Sequence, residues 1–205
     1  MSETVFTFPR YPLLVVLSGP AGAGKDSVIR RMKERGLPFH FVVTATDRPP
    51  RPGEVHGVDY FFLSTEEFLR LEREGELLEH AVVYGQHKGV PKQQIREAFA
   101  SGKDVVMRVD VQGAATIRRL APEAVLIFLT AESGEELARR LEQRGTDPPE
   151  QLIQRIGKLA EEMACLDLFD YVVVNREGQL DRAVDQIVAI MEAEHCRVRP
   201  RRVQL

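Results

Sequence analysis

Four short runs of consecutive apolar residues punctuate the chain: "LLVVLSG" (Leu13–Gly19), "DVVMRV" (Asp104–Val109), "AVLIFLT" (Ala124–Thr130) and "YVVVN" (Tyr171–Asn175). Each is too short for a core helix, is rich in β-branched residues and does not alternate with polar positions. That pattern predicts strands covered on both faces. After the first run, "DSVIRRMKER" places Val28, Ile29 and Met32 at helical spacing, and "AVDQIVAIMEAEH" (Ala183–His195) repeats the helical pattern near the end. Buried strands alternating with helices predict an α/β domain whose central sheet is parallel.

Two stretches break this rhythm. Residues 39–90 are rich in Phe, Tyr, Thr, Pro and Gly and read as an inserted, partly β lobe. Within it, Ser64 or Thr65 followed by Glu67 is a helix-start signal for "STEEFLRLEREGELL". Residues 133–163 are charged and helical, broken at "RGTDPPE", and carry few large apolar side chains. They are expected to pack loosely and to act as a lid. The remainder, 1–38, 91–132 and 164–205, forms the core.

Composition narrows the picture without redirecting it. The 205 residues are 43% hydrophobic and 29% charged with a net charge of −3, so no global field favours nucleic acid or a membrane. Arg197, Arg199, Arg201 and Arg202 make a locally basic end that reads as a solvated tail. Two cysteines, Cys165 and Cys196, define neither a disulfide framework nor a metal-site spacing and suit a reducing compartment. No apolar run approaches the roughly 20 residues of a membrane span. The first residues lack a signal-peptide pattern, which makes a cytoplasmic location the expectation. The sequence leaves a monomer and a homodimer equally open.

The chemistry starts at "GPAGAGKDS". Gly19, Gly24 and Lys25 have the spacing G-x-x-x-x-G-K, with a hydrophobic strand leading in and a helix following directly. Gly19, Pro20, Ala21, Gly22, Ala23 and Gly24 would turn their backbone toward an anion. The helix start adds partial positive charge, and Lys25 supplies a mobile ammonium. The loop therefore predicts a nucleotide-phosphate cradle with Mg²⁺, against the plainer reading of a tight glycine turn with a surface lysine. The next residue is Asp26 where a hydroxyl is expected, followed by Ser27. A carboxylate is a hard oxygen donor, which makes Asp26 the candidate Mg²⁺ ligand.

A second anion site is suggested by "TATDRPPRPGEVHGVDYFF" (Thr44–Phe62), where Arg48 and Arg51 could hold a phosphate bidentately and Tyr60 could donate to it. Taken singly, the arginines also read as solvated loop charges and Tyr60 as core. With "VDVQGA" (Val109–Ala114) and "RRLEQRGTD" (Arg139–Asp147), these blocks occur in the order and spacing of the guanylate kinase family, which the chain resembles from about Leu13 to His195. The resemblance implies a P-loop three-layer α/β fold with a GMP-binding lobe at 39–90 and a helical lid, and transfer of the γ-phosphoryl of ATP to GMP.

The resemblance assigns Arg48, Arg51 and Tyr60 to the GMP phosphate, Thr44 and Glu79 to the guanine, and Glu54 and Asp110 to the same pocket. It assigns Arg140, Arg144 and Arg155 to the transferring phosphoryl, and Asn175 to the neighbourhood of the adenine. The chain departs from the family pattern in three further places. Lys88 stands where a tyrosine phosphate ligand is usual, Val90 where a hydroxyl reaches the base, and Arg108 where an acidic residue is common. Two other readings compete. A ribose 1,5-bisphosphate phosphokinase shares the fold but needs no base-reading carboxylate. A non-catalytic guanylate-kinase-like binding module would lack the loop and lid cations that this chain keeps.

Overall fold

The computed structural model describes residues 10–83, 85–144 and 149–203. Strand β1 (Leu14–Ser18) runs into a loop and helix α1 (Lys25–Glu34), followed by β2 (His40–Phe41), β3 (Thr44–Thr46), β4 (Tyr60–Phe62) and α2 (Thr65–Arg73). Then come β5 (Leu77–Val83), β6 (Gln86–Pro91), α3 (Lys92–Ala100), β7 (Val105–Arg108), α4 (Val111–Leu120) and β8 (Val125–Thr130). Helices α5 (Gly134–Arg144) and α6 (Pro149–Ala164), strand β9 (Tyr171–Val174) and α7 (Leu180–His195) complete the order.

The central sheet has five strands in the order β2-β7-β1-β8-β9, and every pair in it is parallel. Its inner strands are continuous apolar runs because both faces are covered. Val15 and Leu17 point to one side, where α1 and α7 supply Val28, Met32, Val184 and Ile187. Leu14 and Val16 point to the other, against Ile95 of α3 and Ile117 of α4. Burying each such side chain stabilises the fold by about 1.5–3 kcal/mol. The four runs read from the sequence are β1, β7, β8 and β9.

A second sheet, β4-β3-β6-β5, closes over α2 through Phe68, Ala45 and Leu77. Helix α2 starts with the capping box anticipated from the sequence: the Ser64 hydroxyl accepts from Glu67 N–H while the Glu67 carboxylate accepts from Ser64 N–H. Within 39–90, His40–Phe41 joins the central sheet beside β7, so the second sheet takes its own strands from Thr44 onward.

In the stretch after residue 133, Leu137 and Leu159 of α5 and α6 are buried in the main core despite the charged composition around them. The basic tail is partly structural: Arg201 donates to the buried Glu194 carboxylate at 2.7 and 3.1 Å, and Arg202 lies over the Tyr11 ring at 4.3 Å. A buried carboxylate needs such partners, so the solvated-tail reading fails at Arg201, while Arg197, Arg199 and Arg202 are exposed. No helix among the described residues is long and apolar enough to cross a membrane.

Asp104 ties three elements together at the start of β7. Its carboxylate accepts from Leu13 N–H at 2.9 Å and lies 2.8 Å from His195 Nε2 at the end of α7. Replacing this buried acceptor strands both partners, so Asp104→Ala is expected to lower unfolding stability by about 2–4 kcal/mol. Urea denaturation would measure it, and a loss below about 0.5 kcal/mol would remove Asp104 from this role.

Candidate active site

The phosphate loop leaves the C-terminal end of β1, between β7 and β8. Gly19 has φ 134°, and a Cβ there would sit 2.0 Å from Leu129 O of β8, so no other residue fits. Gly24, at φ 89°, caps α1 in the left-handed region. Lys25, the first residue of that helix, folds its ammonium back over the loop and donates to Gly19 O (2.7 Å) and Pro20 O (3.0 Å). Burial draws its pKa below the usual lysine range, with Glu162, Asp26 and Asp110 pulling the other way.

The loop is also held from outside. Ala21 N–H donates to Glu162 Oε2 of α6 at 3.1 Å, and Asn175 Nδ2 donates to Ala23 O at 3.0 Å. Asn175 therefore lies against the loop backbone beside Gly24. Its own carbonyl accepts from Arg140 at 2.7 Å, and Arg140 also pairs with Glu136 one helical turn away. Glu162 had no sequence signal: it sits in a run of similar helix-surface carboxylates, and only the docking of α6 singles it out.

The facing lobe presents a different arrangement. Arg48 makes a two-pronged bond to Glu54, with both contacts at 2.7 Å, and Glu54 also accepts from Arg51 N–H at 2.7 Å. Burial works against the Glu54 carboxylate, yet these bonds hold it below the usual carboxylate range. The Arg48 guanidinium lies 4.9 Å from the Tyr60 ring centroid and 5.4 Å from that of Phe62. Arginine on an aromatic face, fixed by a carboxylate fork, is a rigid phosphate receptor. Burial pushes the Tyr60 phenol up, so its hydroxyl stays a donor. Thr44 is in register with Tyr60 on the neighbouring strand.

Glu79 lies deep between β5 and α4. It is 5% exposed, and its Oε2 has no hydrogen-bond partner among the described residues. Its carboxyl fits because residue 113 is glycine: a Cβ there would lie 2.9 Å from Glu79 Oε2. Asp110 caps α4 by accepting from Gln112 and Gly113 N–H, both at 2.9 Å. Burial, and then the Asp110 charge, push Glu79 up to about 8. Burial draws Lys88 down to about 8, with Asp110 opposing.

These groups line one cavity of about 690 Å³. It collects Gly19, Ala21, Gly22, Gly24, Lys25, Asp26 and Ser27 from the loop side. From the lobe, β7 and α4 it collects Thr44, Arg48, Arg51, Glu54, Tyr60, Glu79, Lys88 and Asp110, and from the far side Arg140, Arg155 and Asn175. Of the other candidates, Ala23 is buried in the core, Pro20 does not line the cavity, and the Arg144 side chain lies outside the described residues. Val90 is fully buried against the core on the α3 side instead of lining the cavity.

Arg108, noted in the sequence only as a departure, proves to be Asp26's partner. It donates to Asp26 Oδ1 and, at 2.6 Å, to Asp59 O. Among the described residues no three His, Cys, Asp or Glu side chains form a metal cage. Asp26 with nucleotide phosphate oxygens is nevertheless a donor set that suits Mg²⁺, which keeps waters and uses few protein ligands.

The guanylate kinase family model matches residues 11–194. Guanylate kinase 2, chloroplastic/mitochondrial, of Oryza sativa is 51% identical over 198 residues, covering 96% of this chain and 70% of that protein. The guanylate kinase of Caldanaerobacter subterraneus is 42% identical, covering 91% and 89%. The crystal structure of guanylate kinase from Anaplasma phagocytophilum superposes with a TM-score of 0.77 at 32% identity, covering 94% of this chain and 90% of that one. A phosphate loop facing a carboxylate-braced arginine receptor, on a chain matched almost end to end, places this protein in the guanylate kinase family.

Proposed function

We propose that the chain binds ATP on the Gly19–Ser27 loop and GMP in the 39–90 lobe, and transfers the γ-phosphoryl to give ADP and GDP. The observation that carries the assignment of the acceptor site is Glu79. A buried carboxyl oxygen without a partner is costly, and guanine N1–H and N2–H₂ are two adjacent donors that would satisfy a carboxylate. Adenine offers no such pair. The ribose bisphosphate alternative leaves Glu79 without use, and a mere binding module would not need Lys25, Arg140 and Arg155 in the cavity.

Arg48, braced by Glu54, takes the GMP phosphate with Arg51 and the Tyr60 hydroxyl, while Lys88 adds a point charge. Thr44 supports the base side, and Asp110 holds the start of α4 beside Glu79. Lys25 exchanges two backbone carbonyls for ATP phosphate oxygens. Arg140, Arg144 and Arg155 close with the 133–163 lid over the transferring group. The two phosphates are thereby aligned in line, with charge spread over fixed cations and water kept out. Asp26 would hold Mg²⁺, which when bound screens the phosphate charge. Asn175 supports the loop at the adenine side. The core at 1–38, 91–132 and 164–205 carries the two moving parts. The protein acts as a monomer or homodimer in a reducing, cytoplasmic setting that suits two free thiols, with neither nucleic acid nor a membrane as partner.

In a coupled assay with ATP and a panel of GMP, AMP, UMP, dTMP and ribose 1,5-bisphosphate, ADP release is expected with GMP above all others. No GMP-dependent release would overturn the reading. Lys25→Met is expected to lower kcat at least a hundredfold, the scale of losing one preorganised charge at the transition state; near-normal turnover would remove Lys25 from the reaction.

The titrations set a pH dependence. With Glu79 protonated below about 8, guanine binding must release its proton, so GMP affinity of the ATP-free protein rises with pH up to about 8. Above that, Lys88 loses its charge and affinity falls. Calorimetry from pH 6 to 9 should show an optimum near 8. Glu79→Gln should abolish the rising limb and weaken GMP binding by a factor on the order of 10² or more. A wild-type affinity that is flat in pH would refute the protonated Glu79.

A further inference from the structure

Arg108 has no place in the assignments above. It ends β7, where it stands between the two halves of the site. Its guanidinium carbon lies 4.1 Å from the centroid of Tyr60, nearer than that of Arg48 at 4.9 Å. One terminal nitrogen donates to Asp26 at the start of α1, and the other to Asp59 O next to Tyr60. The side chain is 11% exposed and lines the shared cavity. Tyr60 is thus flanked by two arginines, one anchored on Glu54 and one on Asp26.

We propose that Arg108 is a further phosphate-binding residue of the acceptor site, with Asp26 as the residue that positions it. The two bonds it makes use two of five guanidinium donors, and its guanidinium lies with that of Arg48 against the Tyr60 ring. A buried arginine is retained at a cost unless it is paired. Asp26 supplies that pairing, and a carboxylate's two oxygens allow it to hold both Arg108 and a metal ion. The carboxylate one position after the loop lysine and the guanidinium 82 positions later therefore form a single unit. The unit links the donor loop to the acceptor lobe, and it reinforces phosphate binding where Lys88 offers only a point charge.

This inference rests on GMP being the acceptor, and the test separates the two. GMP and ATP·Mg²⁺ are titrated calorimetrically, each alone, into wild type, Arg108→Gln, Arg108→Lys and Asp26→Asn, with GMP measured in the absence of metal. Arg108→Gln is expected to raise the GMP dissociation constant roughly ten- to a hundredfold, the scale of one lost charge-assisted bond. ATP affinity should move less than about threefold. Arg108→Lys should recover part of the loss, and Asp26→Asn should weaken GMP binding by a few fold through misplaced Arg108. Unchanged GMP affinity in Arg108→Gln, or an equal loss for both nucleotides, would overturn the assignment. If Arg108→Gln does not fold, the same criteria apply to Arg108→Lys. Unchanged GMP affinity in Asp26→Asn would remove Asp26 as the positioning residue. Wild-type protein that binds no GMP would overturn both this inference and the acceptor assignment.

Discussion

Two phosphorylated substrates meeting head to head demand many cations in a small volume, and those cations repel one another before any substrate arrives. The structure answers with internal anions. Arg48 is forked on Glu54, and Arg108 and Arg140 each place one terminal nitrogen on a carboxylate, of Asp26 and Glu136. Lys25 rests on two carbonyl oxygens. Each carboxylate also aims its partner, so neutralisation and preorganisation are the same interaction. Glu162 extends the scheme to the backbone: its carboxylate accepts from the loop amide of Ala21.

The sheet makes this crowding possible. Parallel strands deliver their C-terminal ends to one edge. Gly19 after β1, Arg108 at the end of β7 and Asn175 after β9 all arrive there from buried, rigid strands. The second sheet brings Glu79 and Lys88 from one side and Tyr60 from another. Precision at the site is thus inherited from the core.

Much of this could be read from residue order. The strands announced themselves because parallel strands must be apolar throughout. The loop did so because its glycines and lysine serve a local geometry, and the Ser64 cap because its partners lie three residues apart. What stayed hidden involved distant pairs. Nothing in the sequence joins Asp26 to Arg108, and each looked like an isolated departure. Glu162 resembles the solvated carboxylates around it. Val90 seemed to be a missing hydrogen-bonding group at the base, yet in the fold its side chain belongs to the core. Arg201 looked solvated because Glu194, which it neutralises, sits on a helix whose buried face is otherwise apolar.

The Asp26–Arg108 contact also bears on how such a site can change over evolutionary time. Restoring a hydroxyl at 26 alone would leave a buried guanidinium without its counter-charge, and restoring an acid at 108 alone would set two carboxylates against each other. Each single step is disfavoured although the double exchange leads back to the common pattern. The contact therefore couples two positions that lie far apart in the chain, so that neither side chain can be changed without altering the charge balance of the other.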